Sequence, residues 1–457
     1  MASKIGKYLL IKILGKQMFS RSNAVRTGKV TQSDIEIVKR LLIKAITTTN
    51  PEVFASYFVH VMIAPELGRR IADKLKDKSN ELDVRRDEIE FLLWLHEIGR
   101  LVDPQAYLKD ELIDIKLLTE FGIAKPIIEM LLPIDKFIKA ATNRKSTDSL
   151  FESLTPSQRI VNLADNFGKR DEKGKLFDLK SLSKYLKTEK SRYGGNPNWK
   201  PEYDLLQESI VKNTIKWLSE IGINFDQILK SLTDYGPKFV IVSRHGELEN
   251  PKNIVYNRDS VMKPEDIIHL SGYGRGQMKV LGKLIKKRKF RVSHVSHSPS
   301  TRAVESKDEM MKGLGMRDIP AISIDNLDDV YAPGGYLEGI NMDVFKAMGG
   351  SSNTYTHRWD KYKHEKLDHL VARIDKTFRE MVKNLGIGET GILISHGDPI
   401  AAWIQHHIAG KIPEPEELQN GLYPNKGEAI VAIIDPQRKF FTHYILTDPS
   451  LKAGRRY

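Results

Sequence analysis

The sequence predicts two domains of different class, an all-α half followed by a three-layer α/β half, and three observations carry that prediction. The chain has 457 residues, more than a single core of ordinary size requires. From Gln32 to about Ile228, apolar residues recur three and four apart, as in Ile89-Phe91-Leu92-Leu93-Leu95 and Leu205-Leu206-Ile210-Ile215-Trp217-Leu218. From Phe239 onward, short wholly apolar runs alternate with helical stretches. The first pattern is that of amphipathic helices, and the second is that of strands buried on both faces. The expected limits are a helical domain over residues 31–234 and an α/β domain over 238–457, with a turn at Thr233-Asp234-Tyr235-Gly236-Pro237 between them.

Residues 1–30 are read as a basic tail. The first 33 residues hold no acid and several Lys and Arg around Tyr8-Leu9-Leu10-Ile11, a composition shared by transit peptides, membrane-surface helices and solvated tails. The apolar stretch is too short for a secretory signal, so the solvated tail is the reading adopted. Within the helical half, Ser191–Asn198 groups Gly, Pro and Asn and reads as an exposed excursion.

Strands are expected at Phe239–Ser243, Val292–Ser296, Ala321–Ile324, Gly391–Ser395 and Ala429–Ile434. Helices are expected at Gly274–Lys287, Arg302–Gly313, Asp368–Leu385 and Pro399–Ala409. Helices of this length between strands imply right-handed crossovers and a mostly parallel sheet, whose functional groups gather where strands end and helices begin.

Composition narrows the chemistry. The absence of Cys excludes a disulfide framework, thiolate catalysis, iron–sulfur clusters and cysteine zinc sites, and leaves any metal to His, Asp and Glu. It fits a reducing, cytoplasmic location. The longest apolar runs, such as Ile127–Leu132, fall far short of the ~20 residues that cross a bilayer, so no transmembrane segment is expected. The net charge of +13 suits an anionic substrate.

Three strand ends in the second half carry chemistry. Ser243-Arg244-His245-Gly246-Glu247 follows the first buried strand, Ser296-His297-Ser298-Pro299-Ser300-Thr301-Arg302-Ala303 leads a later strand into a helix, and Ser395-His396-Gly397-Asp398 ends another. Two Arg and two His at one sheet edge suit a phosphoryl group. Arginine binds phosphate bidentately, neutral histidine attacks phosphorus or accepts a proton, and helix starts favour anions. With Leu270-Ser271-Gly272-Tyr273-Gly274-Arg275-Gly276-Gln277 between them, these motifs resemble, in order, the histidine phosphatase or phosphoglycerate mutase-like superfamily over residues 238 to 446.

The resemblance implies a metal-independent and cofactor-free covalent mechanism. His245 is similar to the phosphorylated nucleophile, and Arg244, Arg302 and His396 resemble the cluster that holds the phosphate. Leu327-Asp328-Asp329 stands where the family carries its acid, which makes Asp329 the expected proton donor. Asp329 lies before Gly335-Tyr336-Leu337-Glu338-Gly339, which resembles a Gly-x-Trp-Glu-Gly segment. Asp398 is the rival, because another branch places Asp after its second His; here Gly397 intervenes. Asn250 is a further candidate for contacting phosphate, displaced by about one position.

The first half carries a second pattern. His60 opens a helical stretch, His96-Glu97 follows 36 residues later (96 − 60), and Asp165 lies in another apolar stretch. Order and spacing resemble the HD-domain superfamily of all-α, metal-dependent phosphohydrolases, with His-Glu where that family has His-Asp. The resemblance implies a divalent metal (Mn, Mg, Fe, Ni or Co) held by His60, His96, Glu97 and Asp165, with Arg100 and Lys169 as candidate phosphate contacts.

Other features are set aside. The run Lys283–Arg291 occupies a helix end, where cations suit the dipole, and implies no specific nucleic-acid site. His357, His364 and His369 lack the i, i+4 spacing of a metal pair and read as surface residues. The expectation is a phosphohydrolase acting on a phosphorylated small molecule, with a nucleotide-like substrate one candidate. The alternatives are a mutase-like phosphotransferase and a regulatory module that binds phosphate without turnover. Oligomeric state has no signature in the sequence.

Overall fold

A computed structural model describes residues 4–49, 54–78, 82–103, 113–131, 147–171, 173–188, 201–256, 258–316, 318–331, 339–347, 364–437 and 439–448. The segments at 191–198 and 335–338, and His357, lie outside these residues. The chain divides into two compact units, Met1–Pro237 and Lys238–Tyr457.

The first unit is helical. Its main helices are α1 (Lys4–Phe19), α2 (Gln32–Thr49), α3 (Ala55–Lys78), α4 (Arg86–Leu95), α5 (Ile113–Phe121), α6 (Pro156–Phe167), α7 (Pro201–Glu220) and α8 (Phe225–Ser231). The residues expected to form a solvated tail are instead α1, which packs against α2 and α5. Ile11 and Phe19 are fully buried, and the Phe19 ring stacks on Phe121 at 5.8 Å. The basic composition hid this helix because its buried line, Lys7, Ile11, Gly15 and Phe19, is only half apolar.

Helix α6 starts sharply, with a capping box between Thr155 and Gln158 and Pro156 in the first turn. It ends at Gly168, where a Cβ would lie 2.6 Å from that of Ala64 in α3. Only glycine lets the two helices close there, and this closure brings Asp165 and the Gly168 carbonyl to His60.

The second unit is built on a six-stranded sheet in the order β5-β4-β6-β1-β7-β8. The strands are β1 (Lys238–Arg244), β4 (Arg291–His297), β5 (Ala321–Ser323), β6 (Glu389–Ser395), β7 (Ala429–Ile434) and β8 (Phe440–Leu446). A separate two-stranded ladder joins β2 (Leu248–Glu249) and β3 (His269–Leu270). β5, β4, β6 and β1 run parallel, β7 lies antiparallel to β1, and β8 lies antiparallel to β7. Strand β8 escaped the sequence pattern because, at the sheet edge, it alternates buried and partly exposed residues instead of forming an apolar run.

Four long helices connect the strands: α9 (Gly272–Lys287), α10 (Thr301–Leu314), α11 (Leu367–Asn384) and α12 (Gly397–Ala409). Val240, Val242, Leu393 and Ile430 pack with Phe378 of α11 and the fully buried Trp403 of α12 in one apolar cluster. Helices α9 and α10 meet at Gly282 and Gly313, where added Cβ atoms would strike backbone at 2.2 and 2.1 Å. Since β4, β6 and β1 are adjacent and parallel, their C-terminal ends share one edge, which brings residues 244–245, 298–302 and 395–396 together.

Candidate functional site

At that edge Arg244, His245, Arg302 and His396 are all buried. The His245 backbone N–H donates to the Ser395 carbonyl at 3.2 Å, tying the two strand ends. The His245 Nδ1 lies 2.9 Å from the Gly246 carbonyl oxygen. A carbonyl only accepts, so Nδ1 carries the proton and Nε2 presents a bare lone pair. Burial lowers the His245 pKa well below the usual imidazole range, and the positive charges of His396, Arg302 and Arg244 lower it further. The ring is therefore neutral.

The His396 ring lies 5.4 Å from that of His245, centroid to centroid. Its Nε2 is 2.8 Å from the Ser298 hydroxyl, which itself donates to Asp328 at 2.8 Å. With its proton committed to Asp328, the Ser298 oxygen accepts from His396 Nε2–H. The other nitrogen, Nδ1, has no hydrogen-bond partner and stands 3.4 Å from Asp329 Oδ2. Burial lowers the His396 pKa, although Asp329 and Asp328 oppose it.

Arg302 is fully buried and paired with two carboxylates, Asp259 at 3.2 Å and Asp329 at 3.0 Å. Tyr256 lies under its guanidinium at 5.3 Å. Arg244 donates to the Pro424 carbonyl at 3.1 Å and covers the Tyr423 ring at 5.2 Å.

The two candidate acids differ. Burial pushes up the Asp329 pKa, but His396 and Arg302 outweigh it and hold the group below the ordinary carboxylate range. Asp398, in the first turn of α12, is pushed from 3.8 up to about 6, first by burial and then by the negative charge of Asp329. Its Oδ1 accepts from the Tyr423 hydroxyl at 2.9 Å. Environment thus separates two carboxylates, the pattern by which acid roles are recognised.

Some expectations do not survive the geometry. Both amide atoms of Asn250 are engaged within its own loop, with the Ile254 carbonyl and N–H at 2.8 and 3.1 Å, which makes it a turn brace. His364, read as a surface residue, is buried. Asp259, Asp328 and Ser298 were not singled out. Nor was Arg373, which braces the loop before Val330 by donating to the Asn326, Asp328 and Asp329 carbonyls. Asp328 and Ser298 lie inside quoted motifs, whereas Asp259 and Arg373 come from segments with no local signature.

In the first unit His60, His96, Glu97 and Asp165 converge, with one ligand atom from each lying within 4.8 Å of the others. His60 Nδ1 faces the Gly168 carbonyl at 2.9 Å and His96 Nδ1 faces the Leu93 carbonyl at 2.7 Å. Both Nδ1 atoms therefore carry protons, and the two Nε2 atoms point at each other across 2.8 Å with Asp165 Oδ1 at 3.0 and 3.3 Å. Two lone pairs and two carboxylates facing inward repel unless a cation lies among them, either a proton shared by the rings or a metal ion. Arg100 is ion-paired with Glu97, and Lys169 supplies positive potential to Asp165.

A sequence profile described as Histidine phosphatase superfamily (branch 1) matches residues 240–437. The C-terminal region belongs to the histidine phosphatase superfamily. A 2,3-bisphosphoglycerate-dependent phosphoglycerate mutase of Methylobacterium sp. (strain 4-46) is 27% identical over 176 residues, 36% of this chain and 79% of that protein. Two solved structures are also similar. The mycobacterial glucosyl-3-phosphoglycerate phosphatase is 16% identical, covering 47% of this chain and 98% of its own, with a TM-score of 0.35. The alpha-ribazole phosphatase from Shigella flexneri is 15% identical, covering 46% and 96%, with a TM-score of 0.35. Histidine phosphatase membership makes the region phosphatase/mutase-like. Among the described residues, no helix is long and apolar enough to cross a membrane.

Proposed function

We propose that the C-terminal unit is a phosphomonoester hydrolase that works through a covalent phosphohistidine at His245. The observation that carries this reading is the anchored, neutral imidazole, with Nδ1–H on the Gly246 carbonyl and Nε2 bare beside two buried arginines. Arg244, Arg302 and His396 hold the phosphoryl oxygens. The His245 Nε2 lone pair forms the N–P bond while the P–O bond to the leaving group breaks.

The leaving oxygen takes its proton from Asp398, whose raised pKa keeps part of it protonated near pH 6. This replaces Asp329, the donor expected from the motif, because Asp329 is held ionised by its cationic partners. Water then attacks phosphorus, Asp398 takes its proton, and inorganic phosphate leaves with Nε2 restored. A mutase would hand the phosphoryl group to a second alcohol in place of water.

For the N-terminal unit, the inward-facing donor set favours an HD-like metal site in which His60, His96, Glu97 and Asp165 would hold a divalent cation. Imidazole and carboxylate donors together suit Mn, Fe, Co or Ni, and Mg less well. Such an ion, when bound, supplies Lewis acidity toward phosphoryl oxygen. Arg100 orients Glu97, and Lys169 lies beside Asp165.

The test is phosphate release from an aryl phosphate by the wild type and His245→Ala, each with chelator and with Mn²⁺. Chelator-resistant release that disappears in the variant is the expected result. Metal-dependent release that survives in the variant would place the chemistry in the N-terminal unit. Binding of phosphate with no release under either condition would favour a regulatory module.

A further inference from the structure

We propose that α1 docks the chain on an anionic membrane surface. The helix has two apolar lines. One, through Ile11 and Phe19, is buried in the helical unit. The other, Ile5, Leu9 and Ile13, is left in water, with 73%, 49% and 52% of each residue exposed. Positions spaced by four residues drift about 40° per step, so these three form one continuous stripe along nearly two and a half turns. Internal packing does not use this stripe, because the buried line already seats α1 against α2 and α5.

Charge identifies the occupant. Residues 1–33 contain seven cations, Lys4, Lys7, Lys12, Lys16, Arg21, Arg26 and Lys29, and no acid. Lys4 and Lys12 pair with Asp103 and Glu120, which fastens the helix to its own unit. Lys16, Arg21 and Lys29 are exposed and have no acidic partner among the described residues. Lys16 lies eleven residues after Ile5 (16 − 5), about three turns on, and so falls within the same arc as the stripe.

An exposed apolar line flanked by cations is the pattern of a helix lying in the headgroup layer of an acidic bilayer. Each cation near such a surface adds to the attraction, and the attraction weakens as salt rises. A second copy of the chain is a poorer occupant, since pairing through this stripe would bring two acid-free basic segments together. The helix is packed into the folded unit through its buried line, so it would dock the chain without unfolding.

The test is sedimentation of the full-length chain with vesicles of phosphatidylcholine alone and of phosphatidylcholine mixed with phosphatidylserine. Binding to the mixed vesicles alone, weakening as salt rises, is expected. The Ile5→Ser, Leu9→Ser, Ile13→Ser triple variant should partition about tenfold less or worse, and Lys16→Glu with Arg21→Glu should also weaken binding. Circular dichroism melts matching the wild type would show that the folded unit is intact, and the single Ile5→Ser variant gives a milder check. Failure of the wild type to bind mixed vesicles, or equal binding by the folded triple variant, would overturn the proposal. A wild-type dimer abolished by the triple variant, with no vesicle binding, would overturn it in favour of a copy-to-copy contact.

Discussion

His245 and His396 face each other at 5.4 Å, the first with its Nδ1–H on the Gly246 carbonyl and the second with its Nε2–H on the Ser298 hydroxyl. His245 thereby turns its bare Nε2 toward the site, while His396 Nδ1 faces Asp329 Oδ2 at 3.4 Å. His245 is oriented by backbone alone, whereas His396 depends on a relay of two side chains, Ser298 and Asp328.

That relay can be tested at Ser298. Replacing it with Ala removes the acceptor for His396 Nε2–H and one donor to Asp328. A lost hydrogen bond at a buried charged group is worth about 1.5–3 kcal/mol, so kcat should fall about 10- to 100-fold with little change in stability beyond that range. A Ser298→Thr variant, which keeps the hydroxyl, should recover most of the loss. Equal damage in both variants would indicate a packing role instead.

Asp398 and Asp329 are separated by the leaving group. An aryl phosphate needs little proton donation and an alkyl phosphate needs much. Asp398→Asn should therefore lose turnover of the alkyl ester by about 10²- to 10⁴-fold while keeping most activity on the aryl ester. Asp329→Asn should instead tighten inhibition by inorganic phosphate, because one of the two carboxylates competing for Arg302 is removed. The opposite assignment of these two phenotypes would return the acid role to Asp329.

The same carboxylate gives a pH signature in stability. The Asp398 pKa is raised from 3.8 to about 6 on folding. Its protonated form therefore stabilises the fold below pH ~4, and this contribution is lost as pH rises through about 6. Asp398→Asn should thus stabilise the protein at pH 7 by about 1–2 kcal/mol, allowing for partial exposure, with no gain at pH 4. In the wild type, turnover of the alkyl ester should decline as pH rises above about 6. Thermal melts at the two pH values and a pH–rate profile check both.

Arg302 carries a structural cost as well as a chemical role. Replacement by Ala would leave the partly buried Asp259 and Asp329 facing each other without their cation, at a cost of about 2–4 kcal/mol after solvent screening. Arg302→Lys keeps the charge but loses the two-pronged geometry. It should remain folded while binding phosphate at least about tenfold more weakly, as read by calorimetry.

The site was legible where chemistry sits in local motifs. Arg244-His245, Ser298 to Arg302 and Ser395-His396 each follow a strand, and the adjacent parallel strands β1, β4 and β6 place them at one edge. Asp259 and Arg373 were not legible, because each reaches the site from a loop or helix whose sequence carries no signature. The role of Asp398 was open for a different reason: its proton affinity depends on burial and on Asp329 across the pocket, quantities that motif spacing does not contain. The packing of helix α1 was not legible because its buried line mixes Ile11 and Phe19 with Lys7 and Gly15.

The metal reading has a readout independent of turnover. Protein stripped by chelator and reloaded with Mn²⁺ should hold one ion per chain and should be stabilised through linkage by about 2.7 kcal/mol at a hundredfold excess over Kd, read as a higher melting temperature. Asp165→Asn should lose both the bound metal and the shift. Glu97→Asp should retain the metal, because the carboxylate remains. Absence of metal in the reloaded wild type would leave a shared proton as the cation between His60 and His96.

The most direct test of the central claim is rapid quenching of the enzyme during turnover of a ³²P-labelled phosphomonoester. The account predicts protein-bound label that is acid-labile and base-stable, maps to the peptide containing His245, and is absent from His245→Ala. Turnover without any such label in the wild type, or the same label persisting in His245→Ala, would contradict it.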